Sequence, residues 1–164
     1  MADLRVVYDP ETMQADLAWD GTTLATGDDL ETAVYLSLFT DARARDDDIT
    51  PSGDGRRRGW WGDAVPPTIL GVQVDNDRFG SRLWLLAREL QLPSALVRAR
   101  AYAVEALQWL LDDGVAAAVD VVASWPRDEW LLLTVTVTRP DGAAESYAWE
   151  ANWQAEAVRL AGMA

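Results

Sequence analysis

Apolar residues recur along this chain with two periods, and the change between them divides it. Leu30, Ala33, Val34, Leu36, Leu38 and Phe39 fall at helical spacing, and the stretch from Ala33 to Phe39 is apolar nearly all round. This predicts a helix buried on most sides. Asp28 and Glu31 have the spacing of a capping box, so the helix is expected to open at Asp28 and end between Thr40 and Ala44. A second helix is predicted over Arg82–Leu90, capped by Ser81, with Leu83, Trp84, Leu86, Ala87 and Leu90 inward. Proline is tolerated in a first turn, so a third helix starts at Pro93. It carries Leu96, Ala99, Ala103, Leu107 and Leu110 on one side and stops at Gly114.

From Val115 the period shortens to two. Val119, Val121 and Ala123 lie on one face of a strand that Trp125-Pro126 is expected to end. Trp130 to Arg139 sets Leu131, Leu133, Val135 and Val137 against Leu132, Thr134, Thr136 and Thr138. Pro140-Asp141-Gly142 supplies a turn, and Ala144–Glu150 returns with Tyr147 and Trp149 on one face. Near the start, Leu4–Tyr8 and Met13–Trp19 read as the arms of a hairpin; Thr68–Val74 reads as a short extended piece, and Asp75-Asn76-Asp77 as a turn. The expected fold is α+β: about three helices, an N-terminal hairpin and a C-terminal antiparallel three-stranded meander. Residues 1–150 form one domain, and 151–164 a tail that is a short helix through Trp153, Ala157 and Leu160, or frays.

Between the first two helices, residues 43–67 lack a period. A loop this long inside a domain is usually functional or flexible. It contains Gly55-Arg56-Arg57-Arg58-Gly59-Trp60-Trp61-Gly62-Asp63. Glycines around bulky residues let the backbone turn where others cannot. Arginine and tryptophan are enriched at interface hot spots. Two readings are compatible: a ring plugs the protein's own core, or the loop docks on a partner.

Composition narrows the chemistry. At 164 residues the chain suits one domain with a sizeable core. It has no cysteine and no histidine, which removes disulfides, thiolate metal sites, the commonest zinc ligand and any Ser-His-Asp or Cys-His catalytic site. A formal charge of −13 disfavours nucleic acid, whose phosphates it would repel. The start of the chain lacks a basic segment followed by an apolar run, and the apolar runs are too short to span a bilayer. The expectation is therefore a cytoplasmic product with no membrane partner. Nine tryptophans favour large buried contacts, in the core or between subunits.

Individual candidates are weak. Asp46-Asp47-Asp48 reads as a solvated acidic loop rather than a cation site, because consecutive acids diverge. Asp75-Asn76-Asp77 lacks the glycine and glutamate of a calcium loop, and Gly53-Asp54-Gly55-Arg56 lacks the Lys-Ser/Thr of a phosphate loop. Trp125, Trp130 and Trp149 read as core or rim packing rather than a ligand platform. No catalytic, cofactor or metal residue is assigned.

In order and rough spacing, Asp29-Leu30-Glu31-Thr32-Ala33-Val34, Ser37-Leu38-Phe39-Thr40-Asp41, Arg58-Gly59-Trp60-Trp61-Gly62-Asp63 and Gly80-Ser81-Arg82-Leu83-Trp84 resemble the baseplate protein family of Mu-like contractile-tailed phages. The resemblance covers roughly residues 16–142, and its most specific parts are the Gly-Trp-Trp-Gly-Asp and Gly-Ser-Arg-Leu-Trp runs. More distantly, that family is similar to sheath-initiator wedge proteins. Where many of those carry Glu-Pro-Arg between the last long helix and the sheet, this chain reads Leu111-Asp112-Asp113-Gly114-Val115.

The resemblance implies a structural, non-enzymatic protein of the virion tail baseplate, or of a headless tail-like particle, made in the host cytoplasm. It implies a place in the wedge around a central hub or spike, in sixfold copies, binding larger wedge subunits and the tail sheath protein. Its strands would offer an edge for the first sheath ring, and an open edge pairs readily with a strand of another chain. The contact residues expected are Arg56, Arg57, Arg58, Trp60, Trp61 and Asp63 on the loop, and Thr134, Thr136 and Thr138 on the strand. Two other readings are a cytoplasmic protein-binding adaptor and a carboxylate-based hydrolase using Asp46–Asp48 or Asp63.

Overall fold

The computed structural model describes residues 3–4, 6–9, 14–17, 19, 21–23, 26–27, 29–51, 53, 55–65, 68–69, 71–73, 78–152 and 157–163. Helix α1 spans Asp29–Phe39. Leu30, Val34, Ser37 and Leu38 are buried, and Leu36 is the exposed exception. The helix ends at Phe39, one residue before the expected range; the proposed cap, Asp28, lies outside the described residues.

The second predicted helix does not form. Leu83–Leu86 is one 3-10 turn, and all four of its side chains are buried. Four successive apolar residues leave no polar face for a surface helix, and the tighter turn lets each find a different pocket. The third helix forms in two parts, α2 (Pro93–Ala106) and α3 (Gln108–Asp112). The break is at Leu107, where φ is −101°; Leu107 and Leu110 both end fully buried. Gly114, in the left-handed region, stops the helix as predicted, and the Ala116 amide then caps the Leu110 carbonyl.

The predicted three-stranded antiparallel meander forms as β7 (Ala118–Arg127), β8 (Trp130–Thr138) and β9 (Ala144–Asn152), and a fourth antiparallel strand, β10 (Ala157–Met163), extends it, giving the spatial order β10-β9-β8-β7. The expected helical or frayed tail is instead strand β10, which pairs with β9. Strand β7 does not end at Trp125-Pro126; its register with β8 shifts there and it continues to Arg127. Proline is tolerated at such a place because β7 is an edge strand with a bulge.

The predicted inward set is the core face. Val121, Leu131, Leu133, Val135, Val137, Tyr147 and Trp149 pack with Leu30, Val34 and Leu38 of α1 and Ala99 and Ala103 of α2. Alanines on the buried face of α2 let it lie close against the sheet. Trp149 belongs to this core; Trp125 packs at its margin, and Trp130 lies under Arg127 at 4.2 Å.

Ahead of α1, β2 (Val6–Asp9) and β3 (Gln14–Leu17) form the predicted hairpin, and β1 (Asp3–Leu4) pairs with β4 (Thr26–Gly27). The extended piece after the loop is a small hairpin of β5 (Thr68–Ile69) and β6 (Val72–Gln73). The Asp75-Asn76-Asp77 turn lies outside the described residues.

Candidate partner interface

The arginine and tryptophan loop is fastened from behind by the chain on either side of it. After α1, residues 40–42 run parallel to Gly80-Ser81: the Ser81 amide donates to Thr40 O at 2.8 Å, and the Ala42 amide to Ser81 O at 2.8 Å. The Ser81 hydroxyl donates to Leu38 O and accepts from the Leu83 amide. Trp84 Nε1 donates to Ala42 O at 2.8 Å. The Ala44 amide then donates to Arg57 O at 2.9 Å, which brings the loop back to this frame.

The arginines of the run are engaged within the chain. Arg57 pairs with Asp46, and Arg58 pairs with Asp41 at 2.7 Å while its guanidinium lies 4.8 Å over the Trp84 ring. Arg56 is exposed and is also engaged. The acids that Arg57 and Arg58 meet thus include this chain's own. Exposed pairs of this kind contribute at most about 1 kcal/mol each, so they orient the loop more than they stabilise the fold.

Beyond Arg58 the two indoles part. The Trp60 ring folds back over Gly62, where a Cβ would lie 2.2 Å from its Cζ3. It also leans on Phe79, with centroids 5.4 Å apart at 61°. Trp61 stands 5.4 Å from Trp60 and is 82% exposed, against 41% for Trp60. Trp61 opens a 3-10 turn, Trp61–Ala64, within which Asp63 is half-buried. Asp63 Oδ1 accepts from the Phe79 amide at 3.3 Å, and its Oδ2 is buried without a hydrogen-bond partner among the described residues. The run thus builds an aromatic ledge: one ring is seated, the next projects, and an acid ties the turn to Phe79. Sequence reasoning missed Phe79, which sits beyond the β5–β6 hairpin and carries no local signal.

Asp46-Asp47-Asp48 is not simply a solvated loop. Asp48 and Arg82 form an ion pair at 2.8 Å, each side chain only 10% exposed. Arg82 also binds Glu105 at 2.6 Å, and Arg45 binds Glu105 at 2.9 Å. Burial pulls the Arg82 guanidinium down, but hydrogen bonds and charge from Glu105 and Asp48 outweigh it, and its pKa lies above the ordinary arginine value. Arg82 further covers the Tyr102 ring at 4.5 Å; burial first, then the Asp48 charge, pushes the Tyr102 phenol up. Asp46 and Asp48 are thus held by arginines, and Asp63 by an amide. Among the described residues, no group of three or more acids could hold a metal ion, and no helix is long and apolar enough to cross a membrane.

Strand β8 lies between β7 and β9, so Thr134, Thr136 and Thr138 cannot offer a free backbone edge. Their side chains occupy the sheet face away from the core, where Thr136 shares a hydrogen bond with Ser146 at 2.7 Å. The Arg139 amide donates to Ala143 O just past the Thr138–Ala144 pair. By antiparallel alternation, odd-numbered residues of β8 therefore bond β9 and even-numbered ones bond β7. On β7 this leaves the backbone of Val119, Val121 and Ala123 directed outward. Arg100 of α2 donates Nε to Val121 O at 2.8 Å, guarding that edge at its middle.

The family model for phage protein GP46 matches residues 30–144, from α1 through the ledge and into β9. The chain belongs to that family. Its similarity to named GP46 relatives extends well beyond the matched span. It is 43% identical to baseplate protein gp46 of Escherichia phage Mu, over 92% of this chain and 97% of that protein. It is 41% identical to the Mu-like prophage FluMu protein gp46 of Haemophilus influenzae, over 93% of this chain and 98% of that one. The ledge and the sheet both fall inside the GP46 match.

Proposed function

We propose that this GP46 family member is a structural, non-catalytic component of the tail baseplate of a Mu-like phage or related particle. In this reading it is a wedge subunit, present in sixfold copies, that binds larger wedge proteins and helps begin the tail sheath. The name of the Mu relative, baseplate protein gp46, supports the baseplate location. The observation that carries the docking role is Trp61, a large apolar ring 82% exposed on a loop fastened by backbone and ion-pair contacts. A rigid, projecting aromatic side chain loses little freedom on binding and buries much area, as interface anchors do. Trp60 and Asp63 position it. The outward backbone groups of Val119, Val121 and Ala123 make β7, not β8, the strand on which a sheath segment would pair.

The test is complementation of a Mu-like phage or prophage whose own copy of this gene is deleted. The double variant Trp60→Ala, Trp61→Ala is expected to lower the yield of complete tails roughly tenfold or more, since truncating a hot-spot ring weakens binding by at least that much and effects at touching rings do not simply multiply. Purified variant protein should keep its far-UV spectrum and lose only a few degrees of melting temperature, because Trp61 is 82% exposed and Trp60, though it rests on Phe79, is 41% exposed. Wild-type tail yield from the double variant would overturn the docking role of the ledge.

A further inference from the structure

Behind the ledge lies a cleft of about 580 Å³ whose charge runs against that of the chain. Five arginines line it, Arg43, Arg45, Arg57, Arg78 and Arg82, against the carboxylates of Asp46 and Glu105. The whole chain carries a formal charge of −13. Three of the arginines are committed: Arg57 to Asp46, Arg82 to Asp48 and Glu105, and Arg45 to Glu105. Arg43 and Arg78 are exposed and have no ion pair among the described residues. Both adjoin the ledge. Arg43 packs against Gly59, where a Cβ would lie 3.0 Å from its own Cβ, and Arg78 directly precedes Phe79, on which Trp60 rests. The two unpaired cations are therefore held close to the ring proposed to meet a neighbour.

We infer that this cleft receives a carboxylate-rich segment of a neighbouring baseplate protein, with Arg43 and Arg78 as its ligands. This rests on the docking reading of the ledge and names the chemistry of the partner beside it. Guanidinium groups match carboxylates as paired, directed donors. Asp46, Asp48 and Glu105 balance the three seated arginines, so the positive surplus of the cleft is that of Arg43 and Arg78, while the acidic remainder of the surface repels an acidic segment that approaches elsewhere. That difference selects the register of docking. The same overall charge disfavours a nucleic-acid strand, whose phosphates would run off the cleft onto acidic surface.

Hexaglutamate is the probe, titrated into the full-length protein with tryptophan fluorescence and calorimetric readouts. Saturable binding that weakens with added salt is expected, about tenfold or more weaker in Arg43→Glu, Arg78→Glu, and intermediate in Arg43→Lys, Arg78→Lys. The Trp60→Ala, Trp61→Ala protein should still bind the peptide. Both arginines are exposed, so melting temperatures should stay near wild type, and the charge-reversal variant should assemble few tails. No saturable binding by wild-type protein, or equal binding by wild type and charge reversal, would overturn the proposal. So would tighter binding of hexathymidylate or inorganic phosphate than of hexaglutamate, which would make the cleft a phosphate site. If tails assemble with the arginines reversed but fail without the tryptophans, the cleft reading falls and the ledge reading stands. If peptide binding follows the arginines but both variants assemble tails normally, the ledge reading falls, and with it the assignment of the acidic segment to a baseplate neighbour.

Discussion

Arg82→Met is expected to destabilise the protein by about 3–5 kcal/mol, the usual cost of removing one partner of a buried ion pair. The substitution keeps most of the apolar stem over Tyr102 but leaves Asp48, 10% exposed, facing the space where its guanidinium partner lay. Asp48 retains only the Arg45 amide, at 2.7 Å, as a compensating donor among the described contacts. Glu105 is less affected, because it is half-exposed and keeps Arg45. Urea unfolding monitored by tryptophan fluorescence would give the loss directly. The double variant Arg82→Met, Asp48→Leu should recover more than half of it, since replacing both partners with apolar groups removes the uncompensated charge. An Arg82→Met loss under 1 kcal/mol would mean that water reaches Asp48 and the pair is not buried in solution.

Gly80→Ala is expected to cost roughly 3 kcal/mol or more, for two reasons that act together. Gly80 has φ +96°, where side chains are strained, and a Cβ there would lie 2.4 Å from Thr40 O and 2.9 Å from its carbon. Those atoms are backbone and cannot swing aside. Relief requires residues 40–42 to separate from Ser81, which breaks the paired amides on which the loop and Trp84 are hung. Hydrogen exchange should therefore show early loss of protection at Ala42, Ala44 and Ser81, with the β8 amides protected up to global unfolding. By contrast, Gly21→Ala at a similar φ meets no atom within 4 Å and should cost only the conformational strain. Equal losses at the two positions would show that contact with Thr40 contributes nothing.

What could be read ahead of the structure followed from local rules. The two-residue period of Trp130–Thr138 identified Leu131, Leu133, Val135 and Val137 as inward, and all four are fully buried. The β2–β3 hairpin, α1, the start at Pro93 and the stop at Gly114 were equally local, each set by periodicity or by one residue's dihedral preference. The runs Gly-Trp-Trp-Gly-Asp and Gly-Ser-Arg-Leu-Trp carried the resemblance to Mu-like baseplate proteins, which the GP46 match bears out.

The candidate site was legible only in part. Its tryptophans and arginines stood out as a run, but their roles depend on residues far along the chain. Asp48 meets Arg82 from 34 positions away, so three consecutive acids read as solvated although the side chain of one is paired and only 10% exposed. Phe79 reaches Trp60, and Arg43 and Arg78 share one cleft, by packing alone. Strand β10 was misread because Trp153, Ala157 and Leu160 also fit a helix; β9 offered unpaired backbone groups, and pairing with them decided the matter. Strand β10 covers the outer edge of β9, while β8 lies between β7 and β9, so on the β7 side the outward backbone is that of Val119, Val121 and Ala123. The sequence by itself determined the elements whose period or dihedral signal is complete within a few residues, and the family to which the chain belongs. The tertiary structure alone decided which ring is seated and which projects, which charges are already paired, and which strand is an edge. Each of those is a competition for partners between distant segments, and no local pattern carries its outcome.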